Sequence, residues 1–189
     1  MTQADAAPPR LADDVTPDDH AIGPADAPLT LVEYGDYECP SCTATHPIVA
    51  AVRREFGDRL RFVFRHFPVT SIHPRASLAA QAAEAAGAQG RFWDMHDLLY
   101  RDPGQLADSD FDRLAIRLGL EVYRFERELT SNTWADRVER QAEGGRRSGV
   151  RGTPTFFLNG QALLGVGGSA EAMTAAIEQQ AAQVPGSNN

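Results

Sequence analysis

Two cysteines, Cys39 and Cys42, are the side chains best suited to chemistry in this sequence, and only Pro40 and Ser41 separate them. A pair at this spacing can bind zinc, remain as two inert thiols, or exchange disulfides. A tetrahedral zinc site would need two more ligands, yet the chain has no further cysteine and no histidine pair at zinc-site spacing. A disulfide across so short a loop removes little entropy from the unfolded chain, so a purely structural role is weak.

The residues around the pair predict a strand that leads into a helix. Residues 29–34 are apolar and rich in strand formers, and Pro40 suits the first turn of a helix that ends at Gly57. A second strand is predicted over residues 60–67. Cys39 would then lie at a helix N-terminus, where unpaired N–H groups and the helix dipole stabilise a thiolate. Cys42 follows one turn later, where it can resolve a mixed disulfide, so a redox pair is favoured.

The rest of the chain divides into a helical block and a second strand region. Helices are predicted over residues 76–100, with a break at Gly87 or Gly90, and over residues 108–118, 121–130 and 133–147. Strand signals return at residues 155–158, and Asn159–Gly160 predicts a tight hairpin to a strand over residues 162–166. Ser169 should cap a final helix. The fold class is therefore α/β, in the order β-α-β, helical block, β-β-α.

This order predicts four segments. Residues 1–20 are expected to be a disordered leader, because they are rich in Ala, Asp and Pro. Residues 21–72 and 148–184 should form one discontinuous α/β domain. Residues 73–147 should form a helical insertion, and residues 185–189 a tail.

The sequence resembles DsbA-like thiol–disulfide oxidoreductases of the thioredoxin superfamily. The motifs that carry the resemblance are LTLVEYGDYECPSC, FVFRHFPV, HPRASLAAQAAEAAGAQGRFWDMHDLLY and GVRGTPTFFLNG, which lie within residues 20–168. It implies a thioredoxin fold with a central mixed sheet, an inserted helical domain, an exposed Cys39 and a cis bond before Pro154. A cis proline leaves backbone groups free for a substrate, so Thr153 and Pro154 are candidate substrate-binding residues. Taken alone, a Thr-Pro pair is more typical of an ordinary trans turn.

Glu33 is a candidate proton carrier. It lies on the first predicted strand among apolar residues, six positions before Cys39. A buried carboxylate without a partner tends to stay protonated. The resemblance implies that this carboxyl moves protons for the thiol of Cys42. The alternative is a partly exposed strand carboxylate with no chemical role.

Pro40 and Ser41, the two residues between the cysteines, should tune the redox poise of the pair. Pro40 offers no N–H group to an anion, and Ser41 offers a hydroxyl but no positive charge. Asp36 and Glu38 add negative charge near Cys39, which opposes its ionisation. We therefore expect a milder oxidant than the strongest members of the family.

The composition limits the classes of binding partner and the cellular location that we expect for this protein. Acidic residues outnumber basic ones by 26 to 18, for a formal charge of −8, which disfavours nucleic acid and anionic membrane surfaces as partners. All basic residues are arginine, so lysine-based Schiff-base chemistry is excluded. No apolar run approaches the ~20 residues of a membrane span, and residues 1–20 do not resemble a secretory signal. We expect a cytoplasmic protein, or an extracytoplasmic one if a leader has been removed.

These observations predict a protein disulfide oxidoreductase with Cys39 as nucleophile and Cys42 as resolving thiol. It should act on protein or small-thiol substrates with an unidentified redox partner, and need no metal or bound cofactor beyond the cysteine pair. The direction of electron flow and the oligomeric state stay open. The alternatives are a redox-sensing or chaperone-like binding protein, whose cysteine pair toggles its conformation, and a zinc-binding module. Catalytic turnover would distinguish an enzyme from a redox-sensing or chaperone-like binding protein. Stoichiometric zinc that is lost on alkylation would identify a zinc-binding module.

Overall fold

A computed structural model describes residues 9–101, 106–166 and 168–183. The strands are β1 (His20–Ile22), β2 (Leu29–Gly35), β3 (Leu60–His66), β4 (Thr155–Leu158) and β5 (Gln161–Leu163). The helices are α1 (Pro40–Phe56), α2 (Ala76–Gly87), α3 (Phe92–Arg101), α4 (Asp108–Arg117), α5 (Val122–Thr130), α6 (Ala135–Arg147) and α7 (Ala170–Gln183).

The strands form one mixed sheet in the order β1-β3-β2-β4-β5. The central pair, β2 and β3, is parallel, as the strand–helix–strand pattern requires, while β1, β4 and β5 each pair antiparallel. Asn159 and Gly160 both have positive φ, which a tight two-residue hairpin turn demands. The predicted fold class is confirmed, but the short edge strand β1 was not predicted, and β5 ends at Leu163 rather than at residue 166.

Both faces of the sheet are covered, and alternation along the strands decides which residues face which layer. Leu31 and Phe62 point into the larger core, which also contains residues of α1, α7 and the helical block. Val32 and Val63 point to the opposite face, into a smaller cluster with Leu11. Helices α2 to α6 come between β3 and β4 in the chain, so the predicted insertion shares one continuous core with the sheet.

The prediction of a disordered leader over residues 1–20 is wrong for residues 9–20. The Leu11 N–H donates to the Gly160 carbonyl at 2.8 Å, and the Ala12 N–H donates to Ser148 Oγ at 2.9 Å. Buried Arg65 makes two hydrogen bonds, of 2.8 and 2.9 Å, to the Asp19 carboxylate. A polar segment is thus held by hydrogen bonds, a buried ion pair and a few apolar contacts, which its composition does not reveal. Residues 1–8 and the predicted tail, residues 185–189, lie outside the described residues.

Candidate active site

Cys39 occupies the N-cap of α1, and Pro40 is the first helical residue. The extended backbone of Cys39 (φ −75°, ψ 120°) lets the helix begin immediately after it. This is the position at which unpaired N–H groups and the helix dipole favour a negatively charged sulfur. Both cysteines are free thiols. Pro40 and Ser41 are exposed on the first turn of the helix.

The Cys39 sulfur lies beside the loop that precedes β4. Its Sγ is 3.3 Å from the Thr153 carbonyl oxygen, and the Thr153–Pro154 peptide bond is cis, as the resemblance implies. The Thr155 hydroxyl donates to the Gly152 carbonyl at 2.7 Å and closes the loop. Tyr34, near the end of β2, pairs with Thr155, so the sheet itself brings the loop to the same edge as the cysteines.

The two sulfurs differ in accessibility. Cys39 is 7% exposed, which is less than the resemblance implies, because the loop at Thr153 packs against it. Cys42 has no exposed surface at all. Burial, reinforced by the charge of Glu33, raises the pKa of the Cys42 thiol well above its usual range. Cys39 is therefore the sulfur that a second molecule can approach, and Cys42 holds its proton.

Glu33 lies on β2 on the same face as Leu31, the face that packs against the larger core. It is 3% exposed, so the predicted burial is confirmed. Burial alone raises the pKa of its carboxyl from 4.5 to about 8. No cation or hydrogen-bond donor to this carboxyl is found among the described parts of the chain. Near neutral pH the carboxyl is therefore largely protonated, and its ionised form is the one that raises the pKa of the Cys42 thiol.

Asp36 and Glu38 have structural partners that the sequence did not reveal. One Asp36 carboxylate oxygen accepts from the Glu38 N–H at 2.8 Å, and the other accepts from the Val69 N–H and from His73 Nδ1, both at 2.8 Å. Glu38 accepts from the Arg75 N–H at 2.5 Å. The two carboxylates therefore anchor the loop between β3 and α2 to the cysteine segment, rather than simply adding charge beside Cys39.

Behind the cysteine segment lies a cluster of aromatic rings that sequence reasoning also missed. Tyr37 is buried, its hydroxyl lies 3.0 Å from His96 Nδ1, and its ring centroid lies 4.8 Å from that of Tyr100. Phe64 of β3 packs edge-on against His96 at 4.6 Å. The spacing of α3 predicts a buried helix face, but no local signal indicates that this face meets Tyr37. The cluster links α3 to the segment that carries Cys39.

Comparisons with known proteins agree with this geometry. The family model described as Thioredoxin matches residues 15–179. The chain is 46% identical over 164 residues to a Na(+)/H(+) antiporter NhaA 1 of Salinispora arenicola, covering 86% of this chain and 25% of that protein. It spans about a quarter of the length of the curated relatives it matches. Within the described residues, no helix is both long and apolar enough to cross a membrane.

Solved structures show the same fold. Oxidised BdbD from Bacillus subtilis superposes with a TM-score of 0.78 at 24% identity, covering 94% of this chain and 99% of that one. A thioredoxin-like oxidoreductase from Silicibacter pomeroyi gives 0.76 at 23% identity, covering 87% and 93%. The family match, the DsbA-like fold and the Cys39–Cys42 spacing confirm the resemblance, and the chain belongs to the thioredoxin family.

Proposed function

We propose that the protein is a thiol–disulfide oxidoreductase in which Cys39 exchanges with protein or small-thiol substrates and Cys42 resolves the mixed disulfide. The observation that carries this proposal is the asymmetry of the pair. Cys39 caps a helix beside the Thr153 carbonyl, whereas Cys42 is sealed in the core and protonated. An attacking thiolate and a protected resolving thiol need these two environments. The cysteine pair is itself the redox group in this proposal.

In the oxidising direction, a substrate thiolate attacks Cys39 Sγ of the Cys39–Cys42 disulfide. The disulfide breaks, a bond between substrate and Cys39 forms, and Cys42 leaves as a thiolate that takes up a proton. A second substrate thiolate then attacks the substrate sulfur, forms the substrate disulfide and releases Cys39 as a thiolate. The substrate loses two electrons and the cysteine pair gains them. The reducing direction is the reverse.

Glu33 is proposed to supply the proton that Cys42 needs when it leaves. With a carboxyl pKa of about 8, Glu33 is largely protonated at neutral pH, and the Cys42 pKa is higher still. Proton transfer from this carboxyl to the Cys42 thiolate is therefore downhill. A group whose pKa lies near the working pH can both give and take the proton, as a reversible exchange enzyme requires.

Thr153 and Pro154 are proposed to hold the substrate beside Cys39. Their loop is only partly buried and Gly152 is exposed, so backbone groups there can pair with an extended peptide. The Thr153 carbonyl already lies next to the Cys39 sulfur. A peptide paired to this loop would place its own sulfur in line with Cys39.

A turnover assay tests this function. The wild-type protein should catalyse many rounds of dithiol oxidation or insulin reduction per molecule, and Cys39→Ser should abolish catalysis. Cys42→Ser should lose turnover yet still form a mixed disulfide. Full activity of Cys39→Ser would refute the proposal. The equilibrium potential against glutathione then gives the direction, since about −270 mV is typical of a reductant and about −120 mV of a strong oxidant.

A redox-sensing role is the second candidate, and the curated relatives favour it. In those relatives the matching segment is a quarter of a protein named as a Na(+)/H(+) antiporter. A thioredoxin domain joined to a transporter can act by toggling its own disulfide without turning over substrate. Under this alternative the wild-type protein would react once per molecule and stop. The predicted cytoplasmic location stays a prediction, which cell fractionation tests.

A further inference from the structure

Three potential metal-binding side chains meet where α1 packs against α3. His46 projects from the helix that carries both cysteines, and His96 and Asp97 are neighbours on α3. One ring nitrogen of each histidine and one Asp97 carboxylate oxygen all lie within 4.8 Å of one another. His46 Nε2 is 3.3 Å from Asp97 Oδ1. His46 lies far from His96 and Asp97 in the sequence, so spacing alone could not indicate this group.

The spacing of the donors suits one metal ion. Zinc holds nitrogen and oxygen ligands at about 2.0–2.2 Å in tetrahedral sites, so two ligands of one ion lie roughly 3.4 Å apart. The His46–Asp97 pair already has this separation. The remaining separations require closure by at most about 1.4 Å to reach the same geometry, which side-chain rotation can supply.

His96 is held in place by its surroundings. It is 3% exposed, and its ring lies edge-on to Phe64 and Trp93. Its Nδ1 atom lies 3.0 Å from the Tyr37 hydroxyl. Metal-binding histidines usually have such a second hydrogen-bond partner, which fixes the orientation of the ring.

The other two side chains open the group to solvent. The Asp97 side chain is 49% exposed and that of His46 is 23% exposed, so an ion can enter and keep a water ligand. Arg53 is a competing cation, because its charge acts on both Asp97 and His96. Its guanidinium is held over the Phe62 ring at 5.6 Å from the centroid.

We propose that His46, His96 and Asp97 bind one divalent transition-metal ion such as zinc, with the remaining position open to water. Two imidazoles and one carboxylate with an open position are a donor set that proteins use for this ion. A bound ion would join α1 to α3, and through Tyr37 it would brace the segment that carries Cys39. The proposal is independent of disulfide exchange, because neither sulfur takes part.

Zinc titration of a thiol-free, tag-free full-length chain tests the site. The Cys39→Ser/Cys42→Ala double variant removes the cysteine pair, which could itself bind zinc. Calorimetry should show one zinc per chain, and the melting temperature should rise with zinc. In this background, His46→Gln or Asp97→Asn should weaken binding at least ~10-fold and remove the thermal shift. Arg53→Gln should tighten binding, since it removes the competing charge.

Asp94→Asn is the matched control, because Asp94 lies on the same helix, is 53% exposed and pairs with Arg91 instead. It should leave zinc binding unchanged. If the double variant folds poorly, the wild-type chain with its cysteines oxidised to a disulfide replaces it. Absence of saturable binding would overturn the proposal. If the Asp97→Asn variant bound zinc as tightly as its parent protein, Asp97 would not be a metal ligand. Its contact with His46 would then be an ion pair only, and the proposal would likewise be overturned.

Discussion

Replacing Glu33 with glutamine should make the free energy of unfolding less dependent on pH. The carboxyl is 3% exposed and burial raises its pKa from 4.5 to about 8. Between these two values the folded protein holds a proton that the unfolded chain has lost. The stability contributed by this group is therefore fully present below pH 4.5 and is lost as the pH rises through about 8.

The size of the effect follows from the two pKa values. One pH unit corresponds to about 1.4 kcal/mol for one proton, so a rise from 4.5 to about 8 amounts to about 5 kcal/mol at most. Glutamine mimics the neutral carboxyl and cannot ionise. Relative to wild type, Glu33→Gln should gain stability at a slope approaching 1.4 kcal/mol per pH unit inside this window and stay level outside it.

Urea unfolding at several pH values between 4 and 9 measures this difference. The thiol-free Cys39→Ser/Cys42→Ala background is used for both proteins, so that neither Cys42 ionisation nor a disulfide contributes. Glu139→Gln is the matched control, because the Glu139 side chain is 67% exposed and should not change the slope. Parallel pH profiles with and without the Glu33→Gln substitution would refute the reasoning, since they would mean that the Glu33 pKa is ordinary.

Two further substitutions test the contacts around the site. Glu84→Gln should destabilise the fold by about 3–5 kcal/mol in urea, because buried Glu84 lies within 2.8–3.1 Å of His20, His66 and Arg137. Against the effect of burial, His20 and His66 hold the Glu84 pKa well below its usual value, so wild-type stability should also fall as the pH drops below about 4.5. Asp36→Ala should cost about 1–3 kcal/mol in the same assay, because it leaves the partly buried N–H groups of Glu38 and Val69 without their acceptor. A loss below about 0.5 kcal/mol would contradict the anchoring role.

Local patterns predicted the elements that position the cysteines. Pro40 and the apolar spacing after it place α1, and two apolar runs place β2 and β3. Asn159–Gly160 fixes the hairpin because few other dipeptides accept two positive φ values. The burial of Glu33 followed from its apolar neighbours on β2. These features depend on residues close in sequence, which is why the sequence alone predicts them.

Features that depend on distant residues were missed. Asp36 was predicted to repel an anion, yet it accepts a hydrogen bond from His73 in the following loop. The segment before β1 was predicted to be disordered, yet Asp19 pairs with buried Arg65 of β3. Neither partner is identified by composition or periodicity. The fold creates these contacts, so only the three-dimensional structure reveals them.

The most direct test of the proposed division of labour compares the two cysteines one at a time. Cys42→Ala and Cys39→Ala are each mixed, in the reduced state, with an oxidised peptide, and adducts are followed by mass spectrometry over time. Cys42→Ala should accumulate a mixed disulfide on Cys39, while Cys39→Ala, left with a buried and protonated Cys42, should form almost none. An adduct that forms as fast on Cys42 as on Cys39 would contradict the assigned roles.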